Sequence, residues 1–153
     1  QVVYSPTSVT MVVTGTPVYG FDAFVYAITN EAQRGYLDDP EGDGYLNLLE
    51  YGTMGNATGA DATARLRGLL STNLEPRVLL FARPGATDIS YFVERAWTPD
   101  AADWEIILSN RTGTGWGGPS PFALVPGTNV IEVQVGDPGL PTGTMFRLRI
   151  TRP

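Results

Sequence analysis

The sequence predicts an α+β fold that is mainly β: a short helix-loop-helix unit, then an antiparallel β-sandwich of about seven strands, with an N-terminal β tail. Three observations carry this. From Arg65 onward, short apolar segments are punctuated by Gly, Pro and Asp, the pattern of an antiparallel β domain. Before it, residues 20-55 hold helix-spaced apolar positions on either side of an acidic, glycine-bearing stretch. Residues 1-19 are rich in Val, Thr, Ser and Tyr, which favour extended backbone. At 153 residues the chain can bury a genuine core, either as one domain or as a small helical unit beside a β unit.

In the tail, Val9, Met11 and Val13 alternate against Thr10, Val12 and Thr14, the period of a strand, and Pro6 pushes the beginning to a sheet edge or out of the sheet. Gly15-Thr16-Pro17 marks a break. Asp22 then caps a helix from about Ala23 to Gln33, with Phe21, Phe24, Val25 and Ile28 on one side, and Gly35 ends it. A second short helix carries Leu46, Leu49 and Tyr51 and stops between Gly52 and Gly55. Residues 56-64 are small and polar and read as a linker, so the expected units are 1-19, 20-55, 56-64 and 65-153. Strands are expected near 66-71, 76-82, 89-96, 103-109, 120-125, 129-135 and 143-151. Ile89, Tyr91 and Val93 share one face, as do Trp104, Ile106 and Leu108, and Phe146, Leu148 and Ile150, which leaves Met145, Arg147 and Arg149 facing outward. Residues 113-121 read as a long flexible loop around Trp116.

The acidic stretch is the most specific signal. Residues 39-50 place Asp39, Glu41, Asp43, Asn47 and Glu50 at positions 1, 3, 5, 9 and 12 of a twelve-residue loop with Gly44 at position 6. That is the spacing of a calcium loop, in which several oxygens converge and the cation supplies the missing positive charge. Gly44 permits the sharp turn, Tyr45 offers its backbone carbonyl, Asn47 binds directly or through water, and Glu50 grips with both oxygens. Glu41 departs from the usual Asp or Asn. The bland alternative is a solvated acidic turn whose Glu50 starts a surface helix.

Composition removes many chemistries. There is no Cys, His or Lys, so disulfides, thiolate or imidazole metal sites, Ser-His-Asp and Cys-His relays and Schiff-base lysines are all impossible within this chain. A carboxylate-pair hydrolase using Asp100, Asp103, Glu105 or Glu132 is conceivable, but none of these sits in a diagnostic setting, and a non-enzymatic protein is the expectation. The net charge of -6 and the scattered arginines argue against nucleic acid. No apolar run is long enough to cross a bilayer. A start at Gln1 fits a chain cut after a secretory signal, and weak calcium loops work where calcium is millimolar, so an extracellular or cell-surface address is expected. Asn56-Ala57-Thr58 and Asn110-Arg111-Thr112 have the form of glycosylation sequons.

These residues resemble a bacterial module, a single EF-hand-like (dockerin-like) calcium loop followed by a β-sandwich, found at the C-terminal ends of secreted and surface proteins of environmental Gram-negative bacteria. The matching stretches are Asp39 to Tyr51, Ala86-Thr87-Asp88-Ile89-Ser90-Tyr91-Phe92-Val93-Glu94, Trp104, and Met145-Phe146-Arg147-Leu148-Arg149-Ile150. The resemblance covers roughly residues 20-153 and implies a non-catalytic calcium-binding module without specifying a ligand. Dockerins and thrombospondin type 3 repeats use paired or serial loops, whereas this chain has one.

The β tail is the second informative feature, since a strand either joins its own sheet or finds another subunit's edge. Donated in trans through Val9, Met11 and Val13, it builds a head-to-tail homopolymer. The leading expectation is therefore a secreted, calcium-stabilised structural protein that self-assembles by donor strands into a filament or surface layer. The alternative, of a different class, is a glycan-binding or attachment module, with Trp116 the residue to suspect and Trp97 and Tyr19 weaker candidates; Trp104 is expected in the core.

Overall fold

The computed structural model describes residues 2-4, 9-11, 20-60, 66-70, 76-98, 104-134 and 144-153. Among the described residues the tail holds two strands rather than one, β1 (Val2–Tyr4) and β2 (Val9–Met11), paired antiparallel as a separate two-stranded sheet with Val2 opposite Met11. Pro6 lies between them in sequence, and proline cannot donate to a ladder, so a single strand through it is disfavoured. Val13 and Tyr19 lie outside the described residues.

The first helix is shorter than predicted. Helix α1 (Gly20–Val25) ends early and is followed by a 3-10 turn, Glu31–Gln33. The reason is competition for the backbone. Asn30 Oδ1 accepts from Ala32 N, and the Arg34 guanidinium donates to the carbonyls of Ile28 at 2.8 Å and Tyr26 at 3.3 Å, groups a continuous helix needs for itself. Nor is Asp22 the cap: it forms a two-pronged pair with Arg152, and Asp88, distant in sequence, accepts from Phe21 N at 2.8 Å. Helix α2 (Asn47–Thr53) falls where predicted and ends on Met54, whose left-handed backbone (φ 62°) lets the Met54 and Gly55 amides return to the last turn.

The remainder is mainly β, in two antiparallel four-stranded sheets. After β3 (Leu66–Leu70), β4 (Pro76–Phe81), β5 (Ser90–Ala96), β6 (Glu105–Arg111), β7 (Trp116–Gly117), β8 (Phe122–Leu124), β9 (Val130–Gln134) and β10 (Met145–Thr151), the spatial orders are β10-β5-β6-β7 and β3-β4-β9-β8. Each strand predicted from residue 66 onward has a counterpart here, with small differences at the ends. The extra element is β7, which pairs Trp116 with Asn110 inside the segment read as a flexible loop.

One irregularity changes which residues face the core. Val93 pairs with Leu108 but Glu94 pairs with Ile106, so β6 carries an extra residue, Ile107. This bulge lets Ile107 and Leu108 both be fully buried, and it reverses the alternation before them. Ile106 therefore shares the face of Glu94 and Arg147, not that of Leu108. Trp104 is half-buried beneath the Arg147 guanidinium, 4.1 Å from its ring centre, and is not the core residue the alternation predicted.

Buried side chains of both sheets (Val78, Leu80, Ile131 and Val133 from one; Tyr91, Val93, Ile107 and Leu108 from the other) join Phe21, Val25, Ile28, Leu48 and Tyr51 of the helical region in one cluster. Even Ala57, within the expected linker, is buried in it. The loop between the helices is thus mounted on the same core as the strands.

Candidate metal-binding site

The loop is held shut at its base by the backbone. Asn47 N donates to Asp38 O at 2.8 Å and Leu48 N to Tyr36 O at 3.1 Å, bringing the start of α2 back against the loop entry. Within it, Gly42 (φ 70°) and Gly44 (φ 90°) take the left-handed conformation that most side chains resist. Those turns aim successive amides at Asp39: Oδ1 accepts from Gly42 N and Asp43 N, Oδ2 from Gly44 N. Asp43 Oδ1 accepts from Tyr45 N at 2.8 Å.

Asn47, at position 9, is completely buried. Its Nδ2 donates to the carbonyls of Gln33 at 2.9 Å and Gly35 at 2.8 Å, which fixes the amide's orientation; its Oδ1 accepts no hydrogen bond among the described residues. Leaving a buried carbonyl oxygen unsatisfied costs about 1–3 kcal/mol. Glu50, at position 12, is also fully buried, and the carboxylate oxygens of Glu41 and Glu50 are all sealed from solvent. The longer Glu41 side chain therefore folds in rather than out.

The structure does not gather the loop acids into a ready-made cluster: among the described residues no three Asp, Glu, His or Cys side chains come together as a metal-holding group. Coulomb repulsion accounts for this arrangement, because like charges separate unless a cation lies between them, and Asp39 and Asp43 turn to loop amides instead. What the loop offers a hard cation is an oxygen set of mixed kind: the Asn47 carbonyl, the sealed Glu41 and Glu50 carboxylates, and the lone pairs that Asp39 and Asp43 retain. The Tyr45 carbonyl stands at the remaining position.

Sequence reasoning missed how α2 is fastened to the sheets. Asp88 caps α1 through Phe21 N and accepts from the Tyr51 hydroxyl at 2.8 Å, so one carboxylate ties both helices to the segment before β5. Burial, with the hydrogen bond that the hydroxyl donates to Asp88, pushes Tyr51 well above the ordinary tyrosine range. At the C-terminal end of α2, Arg83 Nε donates to Tyr51 O, Arg83 N donates to Gly52 O at 2.8 Å, and Tyr91 Oη donates to Gly52 O at 2.7 Å. Burial pushes Tyr91 up to about 12. The only sequence hint was Asp88 in the Ala86-Thr87-Asp88-Ile89 stretch.

Glu94 was also missed. It is almost wholly buried and holds Arg147 Nε at 2.7 Å and Arg149 Nη2 at 2.6 Å from the neighbouring β10. Burial by itself raises its pKa, but hydrogen bonds from Arg149 and Arg147 outweigh that and hold it below the usual carboxylate range. Alternating arginines opposite a strand glutamate were the available signal.

The other candidates are placed as follows. Trp116 is half-buried, packs against the core and leans at a tilt on Tyr91 with ring centres 5.3 Å apart, whereas Trp97 is about half exposed with Arg95 over its ring. Glu105 pairs with Arg95 and Glu132 with Arg77, while Asp100 and Asp103 lie outside the described residues. Asn110 Oδ1 accepts from Gly115 N, so that sequon sits against its own turn. Among the described residues no helix is long and apolar enough to cross a membrane. In comparisons with known proteins, no protein-family model, no curated protein and no solved structure matches this chain.

Proposed function

We propose that this chain is a non-enzymatic, calcium-binding structural protein of the bacterial exterior, built as a helix-loop-helix calcium unit on a β-sandwich, that assembles through its N-terminal β segment into a filament or surface layer. One observation carries the calcium reading: Asn47 Oδ1, fully buried and accepting no hydrogen bond among the described residues, stands at the loop position where a calcium ligand belongs. Calcium would be held by Asp39, Glu41, Asp43, the Tyr45 carbonyl, Asn47 and Glu50. It would supply positive charge only. The residues do the rest: Gly42 and Gly44 shape the turn, Asn47 ties the loop to Gln33 and Gly35, and Glu50 passes the loop's geometry into α2. Because α2 is fastened to β5 through Tyr91 and to the segment before it through Asp88, ordering the loop would steady α2 against the sheet. A site of this kind, with roughly 10⁻⁴ M affinity or weaker, suits extracellular calcium.

The assembly reading is supported by β1 and β2, which pair with each other and join neither four-stranded sheet among the described residues. A two-stranded ribbon is marginal by itself in water. The glycan-binding alternative draws less support, since the Trp116 ring is engaged by Tyr91. Calorimetric titration with Ca²⁺ tests the reading directly: binding is expected for the wild type and a loss of at least tenfold in affinity for Asn47→Ala, and no binding at 10 mM Ca²⁺ rejects it.

A further inference from the structure

Three connections meet at one end of the two four-stranded sheets: residues 82-89 between β4 and β5, 112-115 between β6 and β7, and 125-129 between β8 and β9. All three lie within the described residues, whereas the strand connections outside them attach at the other end of the same strands. Between the three is a cleft of about 310 Å³. That is at the lower end of the range for small-molecule sites, roughly 300–1,000 Å³. We propose that this cleft binds a neutral sugar ring, one unit of an uncharged glycan. The site is separate from the acidic loop and depends on neither the calcium nor the assembly reading.

The lining carries no charge that is free to meet a ligand. No carboxylate is part of it, and its one cation, Arg83, donates through Nε to Tyr51 O with its guanidinium carbon 4.6 Å from the Tyr51 ring centre. A charged ligand would leave water here without an opposite charge to receive it. The apolar wall is made by Ala82, Ala86, Trp116, Leu124 and Ile131. Tyr91 is 1% exposed and so meets Trp116 from the interior, which makes the indole a fixed wall of the cleft rather than a free platform. The polar rim keeps hydrogen-bonding capacity in hand. Asn110 Oδ1 accepts from Gly115 N while its Nδ2 has no acceptor among the described residues. Asn129 Nδ2 faces the Met54 sulfur at 3.3 Å, and neither its Oδ1 nor the Thr87 hydroxyl is hydrogen-bonded among the described residues. A wholly apolar ligand would strand these groups. A pyranose matches them, because it has faces of C–H bonds to lay against the apolar wall and a rim of hydroxyls that each donate and accept.

The cleft is formed in advance. Gly113 (φ 74°) brings the β6-β7 turn so close to the β4-β5 connection that a Cβ there would stand 2.8 Å from Thr87 Cγ2 and 3.3 Å from Ala86 O. Beside it Thr112 is held at φ 46°, a left-handed conformation that β-branched residues rarely adopt, and its amide donates to Ser90 Oγ at 3.1 Å. Backbone strain of this kind persists where the surroundings over-determine it, and it concentrates at ligand clamps. A rigid rim spends little ordering free energy when a ligand arrives.

The test titrates isotope-labelled full-length protein with the methyl glycosides of glucose, galactose and mannose and with short oligomers of the same sugars at millimolar concentration. The assigned tryptophan indole resonances are followed. At least one neutral sugar is expected to move the Trp116 signal saturably and leave Trp97 and Trp104 in place. Asn129→Ala and Thr87→Val change exposed side chains, the second with little change of shape, and thermal melts confirm that both are folded. Each is expected to weaken binding about fivefold to tenfold. Glucuronic acid and glucosamine, which put a charge on the same ring, are expected to bind at least tenfold more weakly than the neutral sugar. The proposal is overturned if no neutral sugar moves the Trp116 signal, if only Trp97 or Trp104 responds, if both variants bind like wild type, or if the charged sugars bind equally well.

Discussion

Asp88 shows how much one side chain can decide. Its two oxygens receive an amide from the first turn of α1 and the Tyr51 hydroxyl of α2, two groups that nothing in its own neighbourhood would predict. Asp88→Ala leaves both donors in a part-buried setting, and a loss of about 1–3 kcal/mol is expected from denaturant unfolding. The site reading adds a specific consequence, since calcium affinity should fall with it although Asp88 is no ligand. Glu94 makes a second residue-scale prediction. Its pKa is held below the unfolded value, so its contribution to stability is present at neutral pH and is lost as pH falls below about 4 through the folded pKa. Glu94→Gln should flatten that part of the acid limb, and it should cost about 2 kcal/mol at pH 7, less than a wholly buried pair because Arg147 and Arg149 are partly solvated.

At the scale of elements, α2 is placed by its C-terminal end. Gly52 lies so close to the sheet that a Cβ there would run into Ile150 Cδ1 and stand 3.3 Å from Ile89 Cδ1. Alanine is the better helix former by nearly 1 kcal/mol, yet here packing wins: Gly52→Ala is expected to destabilise by about 1–3 kcal/mol, measured by chemical denaturation. A gain in stability would mean that α2 does not press on the sheet. The strands from β3 to β10 were legible because each is a short run bounded by Gly, Pro or Asp. The first helix was not, because its end depends on Arg34 reaching back to the carbonyls of Tyr26 and Ile28. The face of Trp104 was misread for a similar reason: alternation counts residues, and the bulge at Ile107 adds one that no period-two pattern contains.

For the whole molecule, the helical region and both sheets share one buried cluster, and the loop closes onto the start of α2 through the Asn47 and Leu48 amides, so a ligand of the loop would stabilise the fold. At a hundredfold excess over its dissociation constant, calcium should add about 2.7 kcal/mol. That corresponds to a rise in melting temperature of about 5–10 °C for a chain of this size, reversed by chelator and abolished in Glu50→Gln. A melting curve indifferent to chelator would remove the metal from the account. Local spacing was enough, without coordinates, to define the acidic loop, the second helix, the β-rich remainder and the missing chemistries of Cys, His and Lys, because those are properties of residue type and interval. The burial of Asn47 and Glu50, the capping of one helix by Asp88 from another part of the chain, and the close approach of Gly52 to Ile150 of β10 came only from the tertiary structure. Each depends on which distant segments meet, and the energy of a buried oxygen or a close packing contact is set by those neighbours rather than by its own sequence.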